Sequence, residues 1–332
     1  MNKILKNIKV PTGNICIMQA EKGKLEFVSL QDYGKAKNIK ADFLGYTKEI
    51  NQVPHGDLLP LEEKWVVTVS TQYGCSMNCK FCDVPKVGKG LNATYDDLKN
   101  QIISALSLHP EVKTTKRLNI HYARMGEPTW NDNVLIFTKD VRKIICPYIG
   151  RSLVHPVIST MLPKNNKFLN EYLNSWVDIK NDLFKGDAGL QFSINTTNDK
   201  QREELFSGNS LDLEEISKIG KMLDLPKDRK YTLNFAIGDE FEVNAEKLRD
   251  LFNPEKFMVK ITPIHLTNAC KENNIVTSNG YFDYSPYREI ENNLKNVGFD
   301  VLVFIPSIEE DTSRITCGNA ILSNKGLENE HT

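Results

Sequence analysis

The stretch Trp65-Val66-Val67-Thr68-Val69-Ser70-Thr71, followed by Gln72-Tyr73-Gly74-Cys75-Ser76-Met77-Asn78-Cys79-Lys80-Phe81-Cys82, decides how the rest of the chain reads. Its first half is a β-branched run with the length and character of a buried strand. Its second half sets three cysteines in one short loop, spaced Cys-x3-Cys-x2-Cys, directly after that strand. Three thiolates on one loop can hold three corners of a cubane iron–sulfur cluster and leave the fourth iron open. Zinc is the alternative, because tetrahedral thiolate sites are common. Structural zinc, however, usually takes two Cys-x2-Cys knuckles, and the sequence has no second one.

Downstream of this loop, strand-like and helix-like stretches alternate. Strands are expected at Trp65–Thr71, Arg117–Ala123, Val154–Ser159, Leu190–Asn195, Tyr231–Ile237 and Phe257–Thr262. Helices are expected at Tyr95–Leu106, Asn133–Ile145, Lys167–Ile179, Leu211–Leu223, Val243–Leu251 and Tyr287–Val297. Asp212, Glu214 and Glu215 suit the first turn of their helix, where negative charge complements the dipole. Six strand–helix units in series imply an α/β fold with a parallel sheet or barrel and right-handed crossovers. A further strand, Val301–Phe304, leads into a polar tail. In such folds the reactive face lies at the C-terminal ends of the strands.

Upstream, the first 64 residues read as a small β-meander: Asn14–Met18, Lys24–Leu30 and Ala41–Tyr46, broken by Gly13, Gly23, Gly34 and Gly45. Three parts follow: a β-rich extension over 1–64, the core over 65–306 and a C-terminal segment over 307–332. The 332 residues carry 42 Lys+Arg against 43 Asp+Glu, a net charge of −1, which argues against an overall polycation holding nucleic acid by bulk charge. The apolar runs are too short for a membrane span. The opening MNKILKNIKV has no signal-peptide stretch, so the cytoplasm is expected. Seven cysteines, an odd number in a long chain, make a disulfide framework unlikely. Cys16 and Cys146 read as buried apolar-like residues, the latter within Ile144-Ile145-Cys146-Pro147.

The Cys-x3-Cys-x2-Cys loop, with Phe81 before its last cysteine, resembles the signature of radical S-adenosylmethionine (SAM) enzymes. Arg124-Met125-Gly126-Glu127-Pro128-Thr129-Trp130-Asn131 is similar to the Gly-Met-Gly-Glu-Pro-x-x-Asn motif of the RlmN/Cfr family. Ser313-Arg314-Ile315-Thr316-Cys317-Gly318-Asn319 resembles that family's Cys-Gly-Gln segment. The likeness in order and spacing extends over roughly Lys64–Ala320. It implies a partial (β/α)6 TIM-like barrel of the radical SAM type, here with the β-rich extension in front and the strand plus tail behind. It also implies a 4Fe–4S cluster on Cys75, Cys79 and Cys82, with SAM on the open iron, and formation of a 5′-deoxyadenosyl radical. The family methylates an amidine carbon of adenosine in RNA, so RNA is the implied partner, with a flavodoxin-like electron donor.

Carried over residue by residue, the resemblance gives Glu127, beside Gly126, the SAM amino group. Ser159, in Val157-Ile158-Ser159-Thr160, and Ser193 and Asn195, in Phe192-Ser193-Ile194-Asn195, would also reach SAM. His265 of Thr262-Pro263-Ile264-His265 would replace an adenosine-binding Asn. Glu26, in Lys24-Leu25-Glu26-Phe27-Val28, would be an acid near the target base, and Cys317 the methyl carrier. Three features depart from the family. Arg124 replaces a glycine and adds bulk and charge near SAM. The family's helical RNA-binding extension is replaced by short β-like segments. The second catalytic cysteine, seven positions before Cys75, is Thr68. A threonine hydroxyl stays protonated and forms no disulfide. Either Cys270 substitutes, or the substrate or the termination chemistry differs: a small molecule, free nucleotide, DNA or peptide in place of RNA. A non-catalytic iron–sulfur or zinc protein that binds nucleic acid is the reading outside enzymes.

Overall fold

The computed structural model describes residues 3–33, 39–47, 58–278, 280–315 and 320–325. The chain opens with an antiparallel meander, β1 (Lys3–Val10), β2 (Gly13–Ala20) and β3 (Gly23–Leu30). Strand β1 is absent from the sequence expectation because it is an exposed edge strand rich in lysine, without the buried alternation that marks a strand. Two short strands follow, β4 (Ile39–Ala41) and β5 (Tyr46–Thr47), where a single strand over Ala41–Tyr46 was expected. A 3-10 turn over Asp42–Leu44, ending on left-handed Gly45, divides them.

The core begins at β6 (Trp65–Thr68). After it, β7 (Gln72–Gly74) and β8 (Lys89–Asn92) form a two-stranded ribbon that carries the cysteine loop. The remaining strands are β9 (Leu118–Tyr122), β10 (Val154–Thr160), β11 (Gly189–Ser193), β12 (Tyr231–Ile237), β13 (Phe257–Pro263) and β14 (Val301–Phe304). From β6 to β14 they pair in parallel in chain order. The meander joins one edge through β3, and β4 joins the other through β14, giving a twelve-stranded sheet among the described residues. Its two outermost strands, β1 and β5, do not pair with each other, so the barrel is partial.

The helices are α1 (Tyr95–Ser107), α2 (Asp132–Ile149), α3 (Leu169–Asp178), α4 (Asp199–Leu205), α5 (Leu213–Met222), α6 (Ala245–Leu251), α7 (Asn268–Glu272), α8 (Ser285–Asn296), α9 (Ile308–Thr312) and α10 (Ala320–Lys325). Capping boxes start two of them: Thr94 with Asp97 at α1, and Asp212 with Glu215 at α5. Each such cap is worth about 1 kcal/mol.

Alternation along the strands sorts the two faces. Ile120 and Tyr122 of β9 turn outward to the helices, and the Tyr122 ring meets Phe137 of α2 and Trp176 of α3 edge-on. One continuous core then runs from Ile15 to Ile321. Asn119 and His121, between them, face the lumen. A flat sheet would hold β9 and β13 about 19 Å apart, four strand spacings. His121 of β9 nevertheless feels the charge of Lys260 on β13, so the sheet curls around its lumen. No helix among the described residues is long and apolar enough to cross a membrane.

Candidate active site

The cysteine loop runs from Gly74 to Gly88 and is tied at its neck, where Cys75 N–H donates to Gly88 O (3.1 Å). Gly74 has a positive φ of 80°, and a Cβ there would stand 2.0 Å from the Gly88 carbonyl oxygen, so only glycine closes this neck. Inside the loop the carbonyls are held by side chains and backbone from two directions. From the α4 side come Asn209 Nδ2 to Met77 O (3.0 Å) and Ser207 Oγ to Asn78 O (2.7 Å), and the loop's own Lys80 N–H donates to Leu205 O. From the α7 side come Thr267 Oγ1 to Phe81 O (2.8 Å) and Asn273 Nδ2 to Lys80 O (2.9 Å). Asp83 in turn accepts the α7 backbone N–H groups of Asn268 and Ala269. A satellite apolar cluster packs around these bonds, with Met77, Cys79, Phe81, Phe206, Ile264 and Cys270 among its buried members.

The three thiols stand at the C-terminal end of the barrel. Burial pushes Cys75 up to about 12 and raises Cys79 well above the usual thiol range, and each feels the negative charge of Cys82 and of Glu127. Opposing this, the backbone N–H groups of Met77 and Gly126 favour the Cys75 thiolate. Gly126 can approach so closely because it is glycine: its φ is 96°, and a Cβ would come within 2.5 Å of Gln72 Cβ. No three His, Cys, Asp or Glu side chains among the described residues converge on one metal-ion position.

Glu127 is 2 % exposed. Its Oε1 accepts from Thr129 N (3.1 Å) and Thr129 Oγ1 (2.8 Å), and its Oε2 accepts from Met161 N (2.7 Å). The Thr160 hydroxyl also lowers its pKa, yet burial wins and the carboxyl lies above the usual carboxylate range. A cation brought beside it would recover that cost.

No family model matches the chain. Among curated proteins it is similar to the "Probable dual-specificity RNA methyltransferase RlmN" of Pseudothermotoga lettingae, 28% identical over 60% of this chain and 54% of that one. A protein of the same name from Aquifex aeolicus is 24% identical over 63% of this chain and 58% of its own length. The RlmN of Desulfosudis oleivorans reaches 41% identity over 80 residues, 24% of this chain and 21% of that one. Over these stretches the chain is similar to proteins named RlmN. It spans about half the length of the curated relatives it matches. Among solved structures, a radical SAM methyltransferase from Sphaerobacter thermophilus superposes with a TM-score of 0.58 over 91% of this chain and 76% of that one. At 17% identity, this likeness speaks for the fold.

The other expected residues fall in several places. Ser159 faces the lumen and donates to Gln191 Oε1 (3.3 Å), whereas Thr160, on the opposite side of the strand, is the residue that meets Glu127. Thr160 was missed because two adjacent hydroxyls cannot be told apart until the strand register is known. Ser193 ends β11, and Asn195 follows in a left-handed turn (φ 63°) with its Oδ1 accepting Ala236 N–H (3.2 Å). Arg202 of α4, also missed, staples this corner from below: its guanidinium donates to Ser193 O, Ile194 O, Leu211 O and Ser210 Oγ. Its charge, disfavoured by burial, is supported by Cys79.

His265 Nδ1 stands 3.0 Å from Asp311 Oδ1 and 2.9 Å from the Tyr281 hydroxyl, which binds it to α9. Cys270 is fully buried behind the loop, its thiol donating to His265 O (3.1 Å), and burial raises its pKa. A protonated, enclosed thiol of this kind packs rather than attacks. Cys16 is buried as expected. Cys146 is exposed, contrary to expectation: α2 continues past Pro147 to Ile149, and its periodicity buries Ile145 and Ile149 while turning Cys146 outward.

Glu26 and Arg124 meet in a buried ion pair. Arg124, expected to crowd SAM, instead donates to Ile315 O (2.7 Å) and Arg314 O (2.8 Å). Glu26 Oε2 accepts Ala320 N (2.8 Å) and Ile321 N (3.2 Å) at the start of α10. Glu26 therefore gives Oε1 to Arg124 and Oε2 to the C-terminal segment. Cys317 lies outside the described residues.

Proposed function

We propose that the chain is a radical SAM enzyme that seats a 4Fe–4S cluster on Cys75, Cys79 and Cys82, with SAM beside Glu127. In this reading it alkylates an unreactive carbon, most simply of adenosine in RNA, through Cys317. The observation that carries the reading is the convergence of Gly126, Glu127 and the cysteine loop on one rim, with Gly126 N–H favouring the Cys75 thiolate. When bound, cluster and SAM supply one-electron cleavage of a sulfonium and abstraction of a hydrogen atom.

The protein's own residues do the rest. Glu127 takes an ammonium group, the cation its buried carboxyl lacks. Met77, Phe81, Phe206 and Ile264 keep water from the thiolate side. Ser159, Ser193 and Asn195 border the space above the lumen and offer hydroxyl and amide groups to the remainder of SAM, with His265 at the adjoining loop. The three-part division at 64 and 306, the cytoplasmic setting and a flavodoxin-like donor are kept as part of this reading.

Thr68 favours a second reading of the same chemistry, on a free nucleotide or another small substrate, because it provides no thiol to resolve an RNA adduct. After anaerobic reconstitution and reduction, the first test is SAM cleavage to 5′-deoxyadenosine. RNA nucleosides from cells with and without the protein are then compared by mass spectrometry, and a methylated adenosine present only with the protein supports RNA. The Cys317 peptide should carry one added methyl group; an unmodified peptide in fully clustered protein would remove Cys317 from the mechanism.

A further inference from the structure

We propose that the barrel lumen, below the rim that carries Glu127, holds an oxyanion subsite centred on Lys260 that takes a phosphate group of the substrate. The proposal rests on the enzyme reading above and adds to it the substrate's charged part.

Strand register puts Lys260 of β13 beside Asn234 of β12, and Asn234 beside Ser193 of β11. All three point to the lumen, because Leu233, Phe235, Val259 and Ile261 between them are buried against the helices. The Lys260 ammonium lies 5.5 Å from the ring centroid of Phe304 on β14, which fixes it inside the barrel. Among the described residues no carboxylate pairs with it.

The nearby acids are already engaged. Asp187 is held by Arg117 and His155, each at 3.2 Å, and Asp300 by Lys230 at 2.6 Å. Of the cations around His121, Lys64 pairs with Asp32 at 2.7 Å and Arg229 feels Asp187 and Asp228. His121 is pulled down to about 3 by burial and by His155, Lys260, Arg229 and Lys64 together. Burial and Arg229 lower Lys260 to about 8. The Lys260 ammonium, with no carboxylate partner among the described residues, favours an anion that arrives with the substrate.

The donors select the kind of anion. The Lys260 ammonium, the Asn234 amide and the neutral His121 imidazole approach from three strands around the lumen. A tetrahedral phosphate can meet all three directions, whereas a flat carboxylate presents two oxygens in one plane. Asn234 Oδ1 is buried with no hydrogen-bond partner. A ribose hydroxyl would satisfy it, and its place next to Lys260 puts phosphate and sugar of one nucleotide side by side.

The test measures binding of adenosine, adenosine 5′-monophosphate and the dinucleotide ApA to cluster-loaded protein by equilibrium dialysis, after iron and sulfide have been counted. A phosphorylated probe should bind about tenfold more tightly than adenosine. That preference should disappear in Lys260→Met and persist in Lys260→Arg. Preference for the monophosphate alone assigns the subsite to a free nucleotide; preference for ApA assigns it to a phosphodiester within RNA. Equal binding of all three probes, or a preference that survives in Lys260→Met, overturns the proposal. The wild-type comparison stands even where a variant fails to fold. Protein that takes up no cluster yet prefers phosphate would leave this subsite intact and count against the enzyme reading instead.

Discussion

At the C-terminal end of the barrel, the cysteine loop hangs mostly on neutral groups, serine and threonine hydroxyls and asparagine amides from the α4 and α7 sides, with an exposed ion pair from Lys86 to Glu272 of α7 at 2.7 Å. At the N-terminal end, the strands are tied by charge through Arg117–Asp187 and Lys230–Asp300, with His155, pulled down to about 4 by burial, standing between Asp187 and Arg229. The difference has a physical use. The ionic end is closed by partners of its own, whereas at the other end Glu127 accepts from neutral donors among the described residues, and of the thiols Cys79 has the Arg202 guanidinium nearby. Glu127 and the thiols are the groups that a cationic ligand and a metal cluster stabilise. A buried ion pair also stands at this end, Arg124 with Glu26, and its remaining donors and acceptors are taken by the C-terminal segment.

The largest break in this comparison comes from the loop itself. Cys79→Ser should abolish cluster uptake, with bound iron and visible absorbance falling at least ~10-fold after reconstitution, because a cubane needs all three loop ligands. The ion pair comes next. Arg124→Ala leaves Glu26 buried and unpaired, and should cost about 3–5 kcal/mol in urea unfolding. Arg124→Met combined with Glu26→Leu should recover most of that loss, since both charges are then gone. Equal loss in the single and double variants would show that the pair has no such role.

A third prediction concerns pH. Burial and the neighbouring Asp32 push Glu310 up to about 7, partly offset by His265. The folded state therefore holds the proton more tightly than the unfolded chain does. Its contribution is fully present below the usual carboxylate range and is lost as pH rises through about 7, up to about 3 kcal/mol in all. Glu310→Gln should flatten that part of the stability profile.

The smallest effect separates two cysteines. Iodoacetamide should label exposed Cys146 at least ~10-fold faster than buried Cys270, read by peptide mass spectrometry. Fast labelling of Cys270 would show that its pocket opens and would restore it as a nucleophile.

The strands were legible because parallel strands buried on their helix side carry long β-branched runs, and the cysteine loop because its spacing is chemical. The helix α4 was not: Asp199-Lys200-Gln201-Arg202-Glu203-Glu204-Leu205 has almost no apolar stripe, and its buried face is an arginine. The partner of Arg124 lies 98 residues away in sequence, so its bulk pointed to SAM until the fold turned it to Glu26. The lumen charges were hidden for a related reason. Lys260 and His121 sit on strands far apart along the chain and meet only because the sheet curls.

The account rests on the loop thiols and Glu127 forming one site. The most direct measurement is electron paramagnetic resonance of anaerobically reconstituted, reduced protein, recorded with and without SAM. The expected result is a 4Fe–4S signal whose g-values shift when SAM is added, with that shift lost in Glu127→Ala while the cluster signal remains. A cluster signal that SAM leaves unchanged in the unsubstituted protein would contradict the account.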